Sequence, residues 1–286
     1  MKRLPIILAI LIPLTACGRL DTLPYTPAQT PATWLQIQPY AEFNLGSQRI
    51  IFVQPSTSFI VYLLGILTIA IGLYFLKIRE GHRSRLWWGI ALLLWGIGAL
   101  LAGTSYEAFS YAIKCAGREV CLWTSWWEAL YLIVSVWSID AMMLAVAYSS
   151  ADGSLRKWLS IYAILNAVIY FIIVIVGVFI PVKFLISFEL LLAVAAPSII
   201  AFFIINGVRY FKSKHNLDLV YLGTWLWLGV TIAAYLLYLI SGNTEALWTK
   251  GQWFSANDVL HLGLILWMLY IRFILAPRLS DLPVNA

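Results

Sequence analysis

The chain has 286 residues, 62% of them hydrophobic and 11% charged, with a net charge of +6. A water-soluble globule of that composition lacks the polar side chains to cover its core, so a soluble protein is excluded and lipid is the solvent implied. The lysines and arginines sit at the ends of apolar runs rather than along one face, which argues against nucleic acid as a partner.

At the amino terminus, Lys2 and Arg3 precede an apolar run over 4–14 that is too short to span a bilayer and reads as a signal peptide covering 1–16. Leu14-Thr15-Ala16-Cys17 resembles a bacterial lipobox. The resemblance implies cleavage before Cys17 and lipidation of that cysteine, which would tether the new terminus in the outer leaflet. The other reading is an uncleaved anchor forming an eighth helix. Two prolines and a short apolar length make a poor span, so cleavage is the expectation.

Residues 17–57 are polar and carry Pro24, Pro27, Pro31, Pro39 and Pro55. Prolines at that density remove backbone donors and break helices, and the segment is too short to build its own core. Residues 49–53 are apolar enough for one strand, which would need a partner. An extended cover over the outer ends of the helices and a disordered tether are both open readings.

Seven apolar runs follow, over 59–76, 86–102, 128–148, 158–180, 184–205, 219–240 and 259–275. Each approaches the roughly 20 residues that a helix needs to cross a hydrocarbon core about 30 Å thick. They lack the alternation of a membrane barrel, so the expectation is an all-α bundle of seven transmembrane helices over 58–276. In the second run Gly89, Gly96 and Gly103 recur every seven residues, a stripe that lets a neighbouring helix approach closely. Cys115 and Cys121 share the loop that follows. Their spacing allows a disulfide on an oxidising side of the membrane.

Charge sets the orientation. Lys77, Arg79, Arg83, Arg85, Arg156, Lys157, Arg209, Lys212, Lys214, Arg272 and Arg278 fall on one side, eleven in all. Arg19, Arg49, Lys114, Arg118, Lys183 and Lys250, six, fall on the other. The bias places the first set in the cytoplasm, the amino-terminal segment outside and the tail over 277–286 inside. The expected location is the bacterial cytoplasmic membrane.

Ionisable groups in or beside the spans are costly in lipid and therefore point to function. Glu107, Glu128, Glu189, Asp258 and His261 cluster at the outer ends of their runs, whereas Asp140 lies near mid-membrane with Asn166 as its polar neighbour. Glu107 follows Gly103 by four residues and so faces the bundle if the helix reaches it. Glu189 shares a side with Ala193 and Ala196, which reads as bundle-facing. Plain readings compete. Ser125-Trp126-Trp127-Glu128 and Ser255-Ala256-Asn257-Asp258 both fit a capping box, in which the side chain three residues after the cap, Glu128 or Asp258, bonds back to it. Asp258 and His261, three apart, fit a hydrogen-bonded pair. Trp123, Trp126, Trp127, Trp248 and Trp253 crowd the outer face as interfacial anchors, with Trp87, Trp88 and Trp158 marking the inner one. The sharper reading puts some outer indoles at the mouth of a pocket, where rings beside carboxylates suit a cation or a cationic amphiphile.

Three families bear on these residues. Rhodopsins hold retinal on a lysine in the last helix, and 259–275 contains none. A secondary transporter would show internal repeats, and none is evident. The seven-helix arrangement resembles the CREST group, which includes alkaline ceramidases and adiponectin-receptor-like hydrolases. That resemblance implies hydrolysis of a lipid amide or ester at zinc, held by one early histidine and two spaced four apart in the last helix. His261 stands in the last run, but Ile265 stands four residues on, the second and third runs carry no histidine, and His82 and His215 lie in cytoplasmic loops. No metal site and no cofactor are expected. The leading expectation is a receptor, sensor or scaffold with an outward pocket for a small amphiphile or cation. A hydrolase using His261 and the nearby acids is the alternative. The cytoplasmic loops are short, so any signal would pass through a cytoplasmic partner.

Overall fold

A computed structural model describes residues 19–46 and 48–282. Cys17 and the candidate signal peptide therefore lie outside the described residues, as do 283–286.

The chain enters through a cover on one end of a helical bundle. Leu20 and Leu23 are buried against Leu132, Tyr170 and Val178. A short helix, α1 (Pro31–Gln36), follows, capped by the Thr30 side chain with Thr33 bonding back. Strands β1 (Tyr40–Leu45) and β2 (Gln48–Val53) then pair antiparallel, Tyr40 opposite Val53 and Leu45 opposite Gln48. The strand expected over 49–53 thus finds its partner in 40–45. Ile51 and Val53 turn inward and are buried, which fixes the register.

Among the described residues, seven helices are long and apolar enough to cross a membrane. They are α2 (Pro55–Lys77), α3 (Arg83–Ala102), α5 (Trp126–Ser150), α6 (Gly153–Phe179), α7 (Phe188–Ser213), α8 (Asn216–Ile240) and α10 (Ala256–Tyr270). Between them lie the short α4 (Ser110–Lys114) and α9 (Asn243–Trp248). The protein is an all-α, multi-pass membrane protein. The first span begins at Pro55 rather than 58, because a proline suits the first helical turn, where its missing N–H is no loss. The fifth begins at Phe188 rather than 184: Lys183–Ile186 form a tighter turn, and the Ser187 hydroxyl then accepts from Leu190 N at 3.2 Å.

Helix α5 is the hub. In its most apolar stretch 72% of residues are buried, against 22–44% in the other six spans. Alanines and serines on several of its sides allow this. The Ser138 hydroxyl donates to Ala91 O on α3 at 2.8 Å, and that of Ser150 to Asn206 on α7 at 3.1 Å. The glycine stripe lies where α3 crosses α2. A Cβ added at Gly96 would meet the Gly65 carbonyl oxygen at 2.8 Å, and one at Gly89 would meet that of Gly72 at 3.1 Å. Only bare backbone fits there.

The end away from the hairpin is closed by polar clamps. Arg209 donates to both carboxylate oxygens of the buried Asp218, at 3.0 and 3.2 Å. Asp281 accepts from Arg83 N and Ser84 N, each at 2.8 Å, and so caps α3 from the far end of the chain. The described part of the tail is docked against the bundle, with Leu279 fully buried. Trp88 is likewise no interfacial anchor. It is buried, stacked on Trp225 with ring centroids 5.9 Å apart, and donates to the Tyr221 hydroxyl at 3.1 Å. Trp158, 66% exposed, keeps the anchor position.

Candidate functional site

Beyond Gly103 the second span continues as a wider helical turn, Gly103–Ala108, rather than ending. Such π-type turns absorb an extra residue and occur often at functional sites. This one carries Glu107 into the protein, where it is buried. Across from it stands the start of α10. Asn257 Nδ2 donates to Glu107 Oε1 at 3.3 Å, and the neighbouring Asp258 is also fully buried. Ser255 and Asp258 complete the capping box, with Ser255 N donating to Asp258 Oδ2 at 2.6 Å. Thr57 on α2 lies 3.2 Å from the Ser255 hydroxyl and stitches the first span to the last.

The second oxygens, Glu107 Oε2 and Asp258 Oδ1, are buried without a protein partner. Neither carboxylate forms a salt bridge among the described residues. Asp258 does not pair with His261. Capping turns its carboxylate back toward the helix start, whereas His261 lies one turn further along α10 with Nδ1 buried and unpartnered.

Glu128 belongs to a different centre. It makes a salt bridge with Lys114 at 2.8 Å, both side chains being buried, and the Ser125 side chain makes no capping bond. The lysine Nζ lies 5.1 Å from the Tyr106 ring and 5.3 Å from that of Trp34. Trp34 also packs on Cys115 and Cys121, which form a disulfide. This arrangement pins the cover to α5 and leaves Glu128 out of any shared pocket. Glu189 is exposed in the first turn of α7, and Ala193 and Ala196 further along it are exposed too; the buried face runs instead through Leu191, Ala195, Ser198 and Phe202. An acid in a first turn is favoured by the helix dipole. Asp140 is buried near mid-span and accepts from Asn166 Nδ2 at 2.9 Å, with Oδ2 unpartnered. Trp248 and Trp253 do border an open groove with Glu245, under the turn before β1.

The five grouped acids and imidazole thus divide. Glu107, Asp258 and His261 share one end of the bundle interior; Glu128 and Glu189 do not join them. Asn257 and Thr57, the polar partners there, went unnoticed in the sequence. Asn257 stands inside the capping-box tetrapeptide but takes no part in the cap, which joins Ser255 and Asp258, so nothing local marks its contact with Glu107.

Below this cluster lies an apolar cavity of about 230 Å³. Its walls come from α2, α3, α5, α7, α8 and α10, and His261, Tyr131 and Ser135 are among the few polar groups that line it. Among the described residues, no three His, Cys, Asp or Glu side chains come together in a way that would hold a metal ion. Comparison with known proteins gives no match: no family model, no curated protein and no solved structure resembles the chain.

Proposed function

We propose that the protein is a receptor or sensor of the bacterial cytoplasmic membrane that binds the cationic head of a small amphiphile at Glu107 and Asp258. One observation carries this reading: two buried carboxylates, Glu107 held by Asn257 and Asp258 beside that asparagine in sequence, have no cationic partner among the described residues, and each keeps an unpartnered oxygen. An ionised carboxylate buried without a partner costs several kcal/mol, and a bound cation is a ligand that would offset that cost. A quaternary ammonium group suits the site, since among the described residues no third His, Cys, Asp or Glu joins the two acids as a bare metal ion would require.

The hairpin end is assigned to the outside, where an external ligand would reach it. The eleven-to-six charge bias supports this. So does the neutralisation of three of the six outer charges, by the pairs Arg49–Glu42, Lys114–Glu128 and Arg118–Asp21. The lipobox-like Leu14–Cys17 tetrapeptide points the same way, with Cys17 as the lipidated terminus.

Thermal unfolding in phospholipid nanodiscs tests the binding reading. Tetramethylammonium is expected to raise the midpoint of wild-type protein and to leave Glu107→Gln and Asp258→Asn unshifted, whereas Glu189→Gln should respond like wild type. A shift of equal size in both variants would refute the site. Stoichiometric metal in the purified protein, lost in His261→Ala together with lipid amide or ester hydrolysis, would replace this reading with the hydrolase.

A further inference from the structure

We infer that the ligand reaches the site sideways from the bilayer, as a single hydrocarbon chain that passes between α7 and α8 while its cationic head goes to Glu107 and Asp258. The inference rests on the proposed cation site and adds the class of molecule and its route.

Three features of the cavity carry it. First, its wall is incomplete on one side. Phe188 and Leu192 of α7 and Ile232 of α8 line it, yet are 48%, 49% and 42% exposed. Side chains that face both the interior and the surface mark an opening, and here the surface is the lipid-facing flank of two spans. Second, the opening has a structural cause. Helix α8 buries residues from Leu217 to Thr231, but none from Ile232 to Ile240. The Arg209–Asp218 bridge and the stack of Phe202 on Trp225, ring centroids 4.2 Å apart, hold α7 to α8 in the half away from this stretch. Pro197 removes a backbone donor within the cavity-lining stretch of α7. The two helices are therefore fastened at one end and parted at the other. Third, the interior is polarised. Along α10, Leu264 and His261 line the cavity and Asp258 follows one turn beyond, about 4.5 Å further by helical rise. A chain in the cavity would place its head at the carboxylates.

Size restricts the occupant. At about 230 Å³ the cavity lies below the roughly 300–1,000 Å³ of pockets that enclose drug-sized ligands. It holds one chain rather than the two of a phospholipid. Charge restricts it further, since an anionic head would meet two carboxylates. Glu189, exposed in the same turn as Phe188, adds negative charge beside the mouth.

The test uses wild-type protein in nanodiscs with a terminally brominated alkyl-trimethylammonium, and Trp95, which lines the cavity, as the fluorescent reporter. The component of emission absent from Trp95→Phe is expected to be quenched by this probe. A chain-brominated phospholipid and a brominated alkyl sulfate, at the same mole fraction, should leave it unchanged. Ala195→Phe, which fills the cavity, should abolish the quenching while tetramethylammonium still stabilises the fold. The wild-type comparison stands alone if that variant does not fold. Tetramethylammonium stabilisation without Trp95 quenching would overturn the lateral route and leave the cation site in place. Equal quenching by the sulfate would overturn the head-group assignment, and equal quenching by the phospholipid the single-chain assignment.

Discussion

Lys114 and Glu128 make the clearest case at the scale of the residue. A lysine counted in the sequence as an outer-loop charge proves to be buried 2.8 Å from a glutamate fourteen positions away. Removing one partner of such a pair leaves an ion without compensation. Lys114→Met should therefore destabilise the protein by about 3–5 kcal/mol. Adding Glu128→Leu should recover most of that, as measured by chemical unfolding in detergent of the two single variants and the double. Recovery of less than half would mean that the aromatic contacts of Lys114 with Trp34 and Tyr106 outweigh the ion pair. Glu107 teaches a different lesson. Its spacing from Gly103 placed it on an inward face, and the π-type turn delivers it there. The acids near it were legible as costly residues, but the partnership of Asn257 with Glu107 was not, because it joins residues 150 positions apart and leaves no local pattern.

Among the elements, the crossing of α2 and α3 was readable because glycine every seven residues leaves a stripe on any helix, whatever its neighbours. Two of the three stripe positions have a glycine opposite, Gly65 for Gly96 and Gly72 for Gly89, and the third, Gly103, faces the Val61 side chain. Gly96→Val should cost about 1–3 kcal/mol, because its added carbons meet a backbone carbonyl that has no room to yield. Gly207→Ala, with nothing within 4 Å of its Cβ, should be neutral or stabilising, and unfolding midpoints of the two variants decide the matter. Helix α7 shows where the same logic fails. Glu189, Ala193 and Ala196 form a side of small and polar residues that reads as a packing face, yet that side is exposed. In water an alanine-rich face is informative because its alternative is polar. In lipid the alternative is leucine, and either satisfies the solvent. At the other end, Asp281 caps α3 across nearly two hundred residues. Asp281→Ala should cost about 1 kcal/mol, seen as a lowered melting midpoint and as faster amide exchange in the first turn of α3.

For the whole molecule, the proposed orientation makes a direct prediction. Cysteines introduced at Gln38 and Asn243, both on the hairpin side, should react with an impermeant maleimide on intact cells, and one at Glu80 only after permeabilisation. The reverse pattern would turn the protein over and remove the outward-facing site. The cover of this end was one of two readings for residues 17–57, and its decisive contacts are tertiary. Trp34 seats on the disulfide and Leu20 on the span end, and neither has a local signature.

Amino-acid order by itself determined the seven spans of the described residues and where they run to within eight residues at either end, because each span is a local sum of transfer free energies and lipid forces every backbone group into a helix. It also determined which groups would be expensive to bury. The tertiary structure decided which of those groups meet, which face of each helix turns inward, and that residues of six helices enclose a cavity. Within a bilayer, both faces of a helix are apolar, so no hydrophobic gradient marks the inside; packing and hydrogen bonds between helices make that choice, and they exist only once the helices are together.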